Sequence, residues 1–334
     1  MNSNNDKNIN FAKLEQIINS KKRIILSTHV NPDGDGLGSE IAFYNHLTSL
    51  GIDCKIINLS PTPPKLEFID TDKVVNVYNE NLDKWILKSD LIIAFDIGDY
   101  SRLLKLGEIT KGRVPALCFD HHPLLRSELY TYTLVDVESP ATGYTVWKYL
   151  KEFHYKKLIP LNIANPLYVS LISDTGSFKY ENTTSDTHLM AANLIDSGVD
   201  SYIIQKKIYD TNSLAHVMLL GYVVNNMNFD FNSQVVWAYL DDDILAKFNA
   251  SSDDIDGITD YLRAIDTVEV SFLIRKISDS DVKVNFRSQD TTINDIASIF
   301  KGGGHKFAAG AFVKNGNVEE IKNIILDELR KKIT

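Results

Sequence analysis

Cysteine is scarce in this sequence: Cys54 and Cys118 are the only two in 334 residues. That excludes a disulfide-held scaffold. Each lies in an apolar run, DCKIINL and VPALCFD, where a cysteine behaves as a small buried hydrophobe. Long hydrophobic runs are also missing, since stretches such as LIIAF fall far short of the roughly 20 residues a membrane-spanning helix needs. The opening MNSNNDKN has no apolar core segment, so no secretory signal is expected and the expected compartment is the cytoplasm. There is no basic excess either: 35 Lys and Arg against 44 Asp and Glu give a formal net charge of −9. This balance disfavours a protein that coats long nucleic acid, because a phosphate backbone is bound by clustered cations. Three common signatures are absent as well. No G-x-x-x-x-G-K-[ST] occurs, no G-x-S-x-G occurs, and Ser39 stands where a G-x-G-x-x-G starting at Gly34 needs its third glycine.

What is present is ordinary globular composition, 44% hydrophobic and 24% charged. At about 150 residues per domain, the length suggests two domains. RIILST, CKIINL, KVVNV (73–77), DLIIAFD (90–96) and VPALCFD (114–120) read as short buried strands. Helical patterns lie among and after them, over Gly38 to Leu50 and over 142–153. Such alternation predicts an α/β domain with a mostly parallel sheet. Longer helical segments fill 185–228. Beyond them QVVWAYL, VEVSFLIRK and VKVNFRS alternate apolar and polar residues, as half-exposed antiparallel strands do. The expected organisation is an α/β domain over 1–195, a helical connector over 196–228 and a smaller α+β domain over 229–334.

In parallel sheets ligands bind beyond the carboxyl ends of the strands, and the unusual residues are expected there. His29, Asp33 and Asp35 fall in the tight loop HVNPDGDGLGS. That loop alone could equally be an Asx-rich surface turn. However, Asp96, the run Asp120-His121-His122, and Asp174 in LISDTGSF each follow an apolar segment too. Imidazole with carboxylate suits Mn²⁺, Fe²⁺ or Zn²⁺, and a set this large suits two octahedral ions better than one tetrahedral zinc. Two ions about 3.5–4 Å apart can clamp both oxygens of an in-line phosphoryl displacement. His46, His154, His188 and His216 lie in helical patterns without ligand partners nearby in sequence and read as structural. In the C-terminal domain Gly302, Gly303 and Gly304 precede His305, and such a run lets a backbone approach an anion closely. Arg263 and Arg287 could complete an anion site there.

Together these blocks resemble the DHH/DHHA1 phosphoesterase family over nearly the whole chain. The resemblance rests on His29-x-x-Pro32-Asp33-Gly34-Asp35-x-x-Gly38-Ser39, Asp96 with the following GDYSR, and Asp120-His121-His122-Pro123. It continues in Ser173-Asp174-Thr175-Gly176-x-Phe178, NTTSDT (182–187) and the final GGGH. Spacing and size are most similar to the bacterial oligoribonucleases that also dephosphorylate 3′-phosphoadenosine 5′-phosphate. The resemblance implies two Mn²⁺ per chain, one on His29, Asp33 and Asp96, the other on Asp35, Asp96, His121 and Asp174. It implies further that His122 faces the scissile phosphate, oriented by Asp120. Arg263, Arg287, Gly302, Gly303, Gly304 and His305 match positions that hold the nucleotide. The implied substrates are short RNA oligonucleotides or small nucleotides, with neither a membrane nor a long duplex as partner, and a homodimer is implied. The alternatives are a phosphodiesterase for cyclic dinucleotides or their linear products, and a nucleotide-binding regulator without catalysis.

Overall fold

Short apolar runs bounded by turn residues can be buried on both faces of a sheet, and this chain uses them so. The computed structural model describes residues 7–124, 127–277 and 280–333. The chain separates into two compact units, Met1–Thr211 and Asn212–Thr334. In the first, helix α1 (Phe11–Asn19) leads into β1 (Arg23–Ser27), α2 (Gly34–Ser49), β2 (Asp53–Asn58) and β3 (Val75–Val77). Then come α3 (Asp83–Ile86), β4 (Leu91–Phe95), α4 (Leu104–Thr110), β5 (Ala116–Asp120) and β6 (Tyr132–Val135). Helices α5 (Thr142–Phe153), α6 (Leu161–Asp174), α7 (Ser185–Asp196) and α8 (Ser201–Tyr209) complete the unit.

The six strands run in the order β3-β2-β1-β4-β5-β6, all parallel. Alternate residues feed two cores. Ile24, Leu26, Ile93 and Phe119 pack under α2, α5 and α6, while Ile25, Ile92, Ala94 and Cys118 pack against the opposite layer. Burying each such side chain contributes roughly 1.5–3 kcal/mol. This strand order reverses direction between β1 and β4, where a crevice opens at the carboxyl ends. Both cysteines are free thiols, Cys118 buried and Cys54 half-buried.

Two local expectations are corrected. Helix α2 starts at Gly34 rather than Gly38, because the Asp33 side chain accepts from the Asp35 and Gly36 amides and caps the helix there. Asp174 ends a helix, α6, and not a strand. The segment before it is buried almost all round, and continuous apolarity does not separate a buried helix from a buried strand.

The second unit contains α9 (Leu214–Asn226), β7 (Asn228–Asp230), β8 (Val235–Leu240), α10 (Asp242–Lys247) and α11 (Ile258–Arg263). The hairpin β9 (Val270–Ile277) and β10 (Asp281–Ser288) follows, then α12 (Asn294–Ile299), β11 (Gly303–His305), β12 (Ala308–Val313) and α13 (Val318–Arg330). Its mixed sheet runs β11-β12-β10-β9-β8-β7, with only the β8–β9 pairing parallel. The helical stretch expected between domains divides, with α8 in the first unit and α9 in the second. Among the described residues no helix is long and apolar enough to cross a membrane.

Candidate metal centre

The crevice between β1 and β4 is where chemistry-bearing residues converge. Thr28, just past β1, donates from Oγ1 to the Phe95 carbonyl at 3.0 Å and closes the two strand ends together. Next to it, His29 places Nδ1 at 3.0 Å from the Val30 carbonyl. A carbonyl only accepts, so Nδ1 carries a proton and Nε2 faces the crevice. There it lies 3.8 Å from Asp33 Oδ2 and 3.4 Å from Asp96 Oδ2. Asp96 follows β4 directly with φ +59°, the left-handed region that Asp tolerates better than most residues. This turn points its two oxygens to different neighbours: Oδ2 to His29, and Oδ1 to His121 at 3.7 Å and His122 at 3.1 Å.

Helix α2 supplies two carboxylates from its first turn. Asp33 caps it through Oδ1, which leaves Oδ2 for His29. Asp35 is fully buried. It accepts from the backbone amides of Thr142 (2.7 Å) and Gly143 (3.0 Å) at the start of α5, and from Ser170 Oγ at 2.5 Å. A helix N-terminus suits an anion, so α5 fixes this carboxylate in place.

Strand β5 ends in Asp120, whose Oδ1 accepts from the amides of His121 and His122 and from His122 Nδ1 at 2.8 Å. His121 repeats the His29 pattern: Nδ1 donates to the Ser139 carbonyl at 3.0 Å. Its Nε2 faces Asp174 Oδ2 at 3.0 Å, Asp35 Oδ2 at 3.7 Å and Asp96 Oδ1 at 3.7 Å. His29, Asp33 and Asp96 offer ligand atoms within 4.8 Å of one another, and so do Asp35, His121 and Asp174. All eight residues that the sequence places at the centre are therefore brought together, Asp174 from a helix end.

Five carboxylates, Asp33, Asp35, Asp96, Asp120 and Asp174, share this cluster with three imidazoles. Burial raises the Asp35 pKa well above the carboxylate range, and the charges of Asp174 and Asp96 push it further. Asp174 is likewise raised, to about 6, by burial first. For His29 burial acts downward, but Asp33 and Asp96 outweigh it and lift the imidazole to about 10. His121 behaves alike, lifted to about 10 against burial by Asp174 and Asp35. Asp96 is held low despite burial by its bonds to His122 and His29. Among the described residues, buried His121 Nε2 and Asp120 Oδ2 have no hydrogen-bond partner. Two imidazoles with Nδ1 tied to backbone carbonyls and Nε2 aimed at carboxylates form the arrangement that metal-ligating histidines adopt. The donor set, all imidazole nitrogen and carboxylate oxygen, fits a divalent ion of intermediate hardness.

Several supporting residues escape sequence reasoning. Buried Glu40 accepts from Asn58 Nδ2 at 2.6 Å, and Asn58 Oδ1 accepts from the Thr28 amide at 3.2 Å. This chain of bonds steadies the end of β1. Thr142, Gly143, Ser139 and Ser170 act on Asp35 and His121 across long sequence separations. No local pattern marks such partners. The remaining helical histidines lie outside the cluster: His46 and His154 sit with ring centroids 4.2 Å apart, and His188 stacks on Phe178.

In the second unit, Arg287 Nε donates to both oxygens of Asp260 at 3.1 and 3.2 Å, and Arg263 Nη1 donates to Gln289 Oε1 at 3.2 Å. Both guanidinium groups are thus already engaged. Gly303–His305 forms an edge strand rather than a loop. A Cβ at Gly302 would meet the Gly310 carbonyl at 2.2 Å and one at Gly304 the Ala308 carbonyl at 2.5 Å, so close strand packing demands both glycines. Gly303 faces open space among the described residues. The side chain of His305 lies outside what is described, while its backbone pairs with Ala308, itself opposite Arg287.

Residues 23–171 match the DHH family N-terminal domain and residues 232–332 match the DHHA1 domain. The chain belongs to the DHH/DHHA1 family of phosphoesterases. A bifunctional oligoribonuclease and PAP phosphatase NrnA from Thermus thermophilus is 29% identical over 320 residues, covering 93% of this chain and 90% of the relative. The protein of the same name from Bacillus subtilis is 26% identical over 310 residues, covering 90% and 93%. Among solved structures, an exopolyphosphatase-related protein from Bacteroides fragilis superposes with a TM-score of 0.90 at 25% identity, covering 96% of this chain and 95% of that one. DHH phosphoesterases are metal-dependent, in keeping with the cluster of imidazoles and carboxylates in this DHH domain.

Proposed function

We propose that this DHH/DHHA1 protein hydrolyses short oligoribonucleotides to mononucleotides, and 3′-phosphoadenosine 5′-phosphate to AMP, with two Mn²⁺ per chain. The observation that carries the reading is Asp96, whose two oxygens face separate histidine–carboxylate groups. His29, Asp33 and Asp96 would hold one ion; Asp35, Asp96, His121 and Asp174 would hold the other. Bound there, divalent ions activate water and neutralise phosphoryl charge. The protein's own residues do the rest. His122, its Nδ1 anchored on Asp120, stabilises charge on the phosphoryl oxygens as water adds and the ester P–O bond breaks. Asp33, Asp35 and the Nδ1 bonds of His29 and His121 keep the ligand atoms preorganised. The second unit would hold the nucleotide through Arg263, Arg287, Gly302, Gly303, Gly304 and His305. The names of the relatives from Thermus thermophilus and Bacillus subtilis support the substrate class.

The test is a parallel assay of the purified chain with Mn²⁺ on a diribonucleotide, a pentaribonucleotide, 3′-phosphoadenosine 5′-phosphate, cyclic di-AMP and pyrophosphate. Turnover of the first three is expected. Turnover of cyclic di-AMP alone would transfer the reading to cyclic dinucleotides, and turnover of none would leave a binding protein.

A further inference from the structure

The block NTTSDT (182–187) supplies no candidate ligand, yet it begins eight residues beyond Asp174. Its threonines start a helix: Thr184 Oγ1 accepts from the Thr187 amide and Thr187 Oγ1 accepts from the Thr184 amide, the capping box of α7. That leaves Asn182 without a part in helix formation. The chain reaches it through an unusual turn, in which Gly176, Ser177 and Phe178 take φ of +54°, +59° and +67° in succession. The left-handed region is strained for Ser and more so for Phe, and such strain persists only where surrounding bonds hold it. Here the Ser177 amide donates to the Ile172 carbonyl at 2.7 Å, the Phe178 amide to Thr175 Oγ1 at 3.2 Å, and Gln205 Nε2 of α8 to Ser177 Oγ at 2.6 Å. The Phe178 ring stacks on His188 with centroids 5.0 Å apart. This turn folds the chain back and brings Asn182 against the end of α6.

There Asn182 Nδ2 donates to two carbonyls, those of Asp174 and Pro140, each at 3.0 Å. A primary amide is the uncharged side-chain group that carries two donors on one atom, which is what two facing carbonyls require. Asn182 Oδ1 is buried and has no partner among the described residues, so the amide is held by its donors alone. Both carbonyls belong to backbone that carries one ligand group. Asp174 is itself a member of that group. Pro140 lies in the stretch 139–143, where the Ser139 carbonyl accepts from His121 Nδ1 and the Thr142 and Gly143 amides donate to Asp35. Asn182 thus bridges the supports of Asp35, His121 and Asp174, whose ligand atoms lie within 4.8 Å of one another. Neither bond reaches the other group, since His29 is held by the Val30 carbonyl and Asp33 by the amides at the start of α2.

We propose that Asn182 is a positioning residue for one of the two metal sites and not for the other. It fixes the spacing of Asp174 against the stretch that orients His121 and Asp35, and so sets the affinity for the ion those three residues share. Without its two donors the end of α6 is no longer tied to 139–143, and the second ligand group loosens while the first stays as it is. Groups that hold the ligands of a metal, without touching the metal, tune its affinity in this way. The proposal rests on the reading of Asp35, His121 and Asp174 as ligands of a single ion.

The test is titration calorimetry of Mn²⁺ into the chelator-treated full-length protein, with hydrolysis of a diribonucleotide measured in parallel. Wild type should take up two ions. Asn182→Ala should weaken one binding step about 10–100-fold and leave the other within about twofold. At saturating Mn²⁺ its kcat should return to near the wild-type value with KM unchanged, whereas a merely structural role would weaken both steps and persist at saturating metal. Glu181→Ala, at an exposed neighbour, should change neither step. If Asn182→Ala does not fold, Asn182→Ser carries the same test, because one hydroxyl cannot donate to both carbonyls. In a background of Asp174→Ala with His121→Ala, where only the first ion should bind, adding Asn182→Ala should alter the remaining affinity by less than about twofold. Both steps weakened equally, neither step weakened, or a larger change in that background overturns the proposal. Two-ion binding retained in that background removes instead the ligand reading on which the proposal rests.

Discussion

At the scale of single residues, two buried carboxyl groups have opposite surroundings. Asp35 sits among other carboxylates, and its stability depends on what neutralises them. Its neighbour across the cluster, His121, turns Nε2 toward it at 3.7 Å and toward Asp174 at 3.0 Å. Replacing Asp120 and His121 together with Ala should therefore abolish Mn²⁺-dependent hydrolysis and cut Mn²⁺ binding, measured by titration calorimetry, by about 100-fold or more. Turnover retained by that variant would contradict the assigned ligand set. Glu40 is different: burial pushes its carboxyl to about 8 from an ordinary 4.5, against the lowering effect of the Asn58 bond. The folded protein then keeps a proton that the unfolded chain loses. Stability from this group is complete below pH about 4.5, falls as pH rises toward about 8, and is level above that. Glu40→Gln removes the titration, so its stability relative to wild type should improve between pH 5 and pH 8.5 by on the order of 4 kcal/mol. Urea unfolding at both pH values with the metal chelated measures it. A difference that does not change with pH would refute the assignment.

Between elements, contact distances decide more than propensity does. The start of α2 crosses α6 so closely that a Cβ on Gly38 would lie 2.3 Å from the Pro166 carbonyl, a backbone atom that cannot step aside. Gly38→Ala should cost about 1–3 kcal/mol, or prevent folding, by chemical denaturation. The glycine run Gly302-Gly303-Gly304 makes an internal control. Gly302→Ala should destabilise for the same reason, whereas Gly303→Ala meets open space and should leave the denaturation midpoint nearly unchanged. Equal effects at the two positions would mean that β11 pairs with β12 otherwise than described. The close approach of α2 to α6 also explains how Asp35 comes within reach of Ser170, 135 residues away.

At the scale of the molecule, each unit carries its own cores. The sheet of the second unit is packed on both faces, by Phe272, Phe286 and Ile325 on one and by Leu219, Leu262 and Leu273 on the other. Residues 212–334 expressed alone should therefore unfold in one cooperative thermal transition. Non-cooperative melting would show that the unit borrows stability from the first. Metal removal should act on the first unit only, because all the candidate ligands belong to it. Calorimetry of the whole chain with and without chelator should shift one transition and leave the other in place.

The alternation of short apolar strands with helices, and the placing of His29, Asp96 and Asp120 at strand ends, were legible in the sequence because burial on both faces imposes a continuous apolar run. The candidate ligands were legible for a related reason, as Asp and His stand out where an apolar run ends. The start of α2 was not, since it depends on one side-chain cap at Asp33. Nor was the helical setting of Asp174, because a buried helix and a buried strand share the same composition. Glu40, Thr142 and Ser170 had no local signal, as their partners lie far away in sequence. The sequence by itself determined which residues could carry metal and phosphate chemistry. Tertiary structure decided that the two oxygens of Asp96 face two different groups, because that depends on one left-handed turn and on the reversal of strand order between β1 and β4.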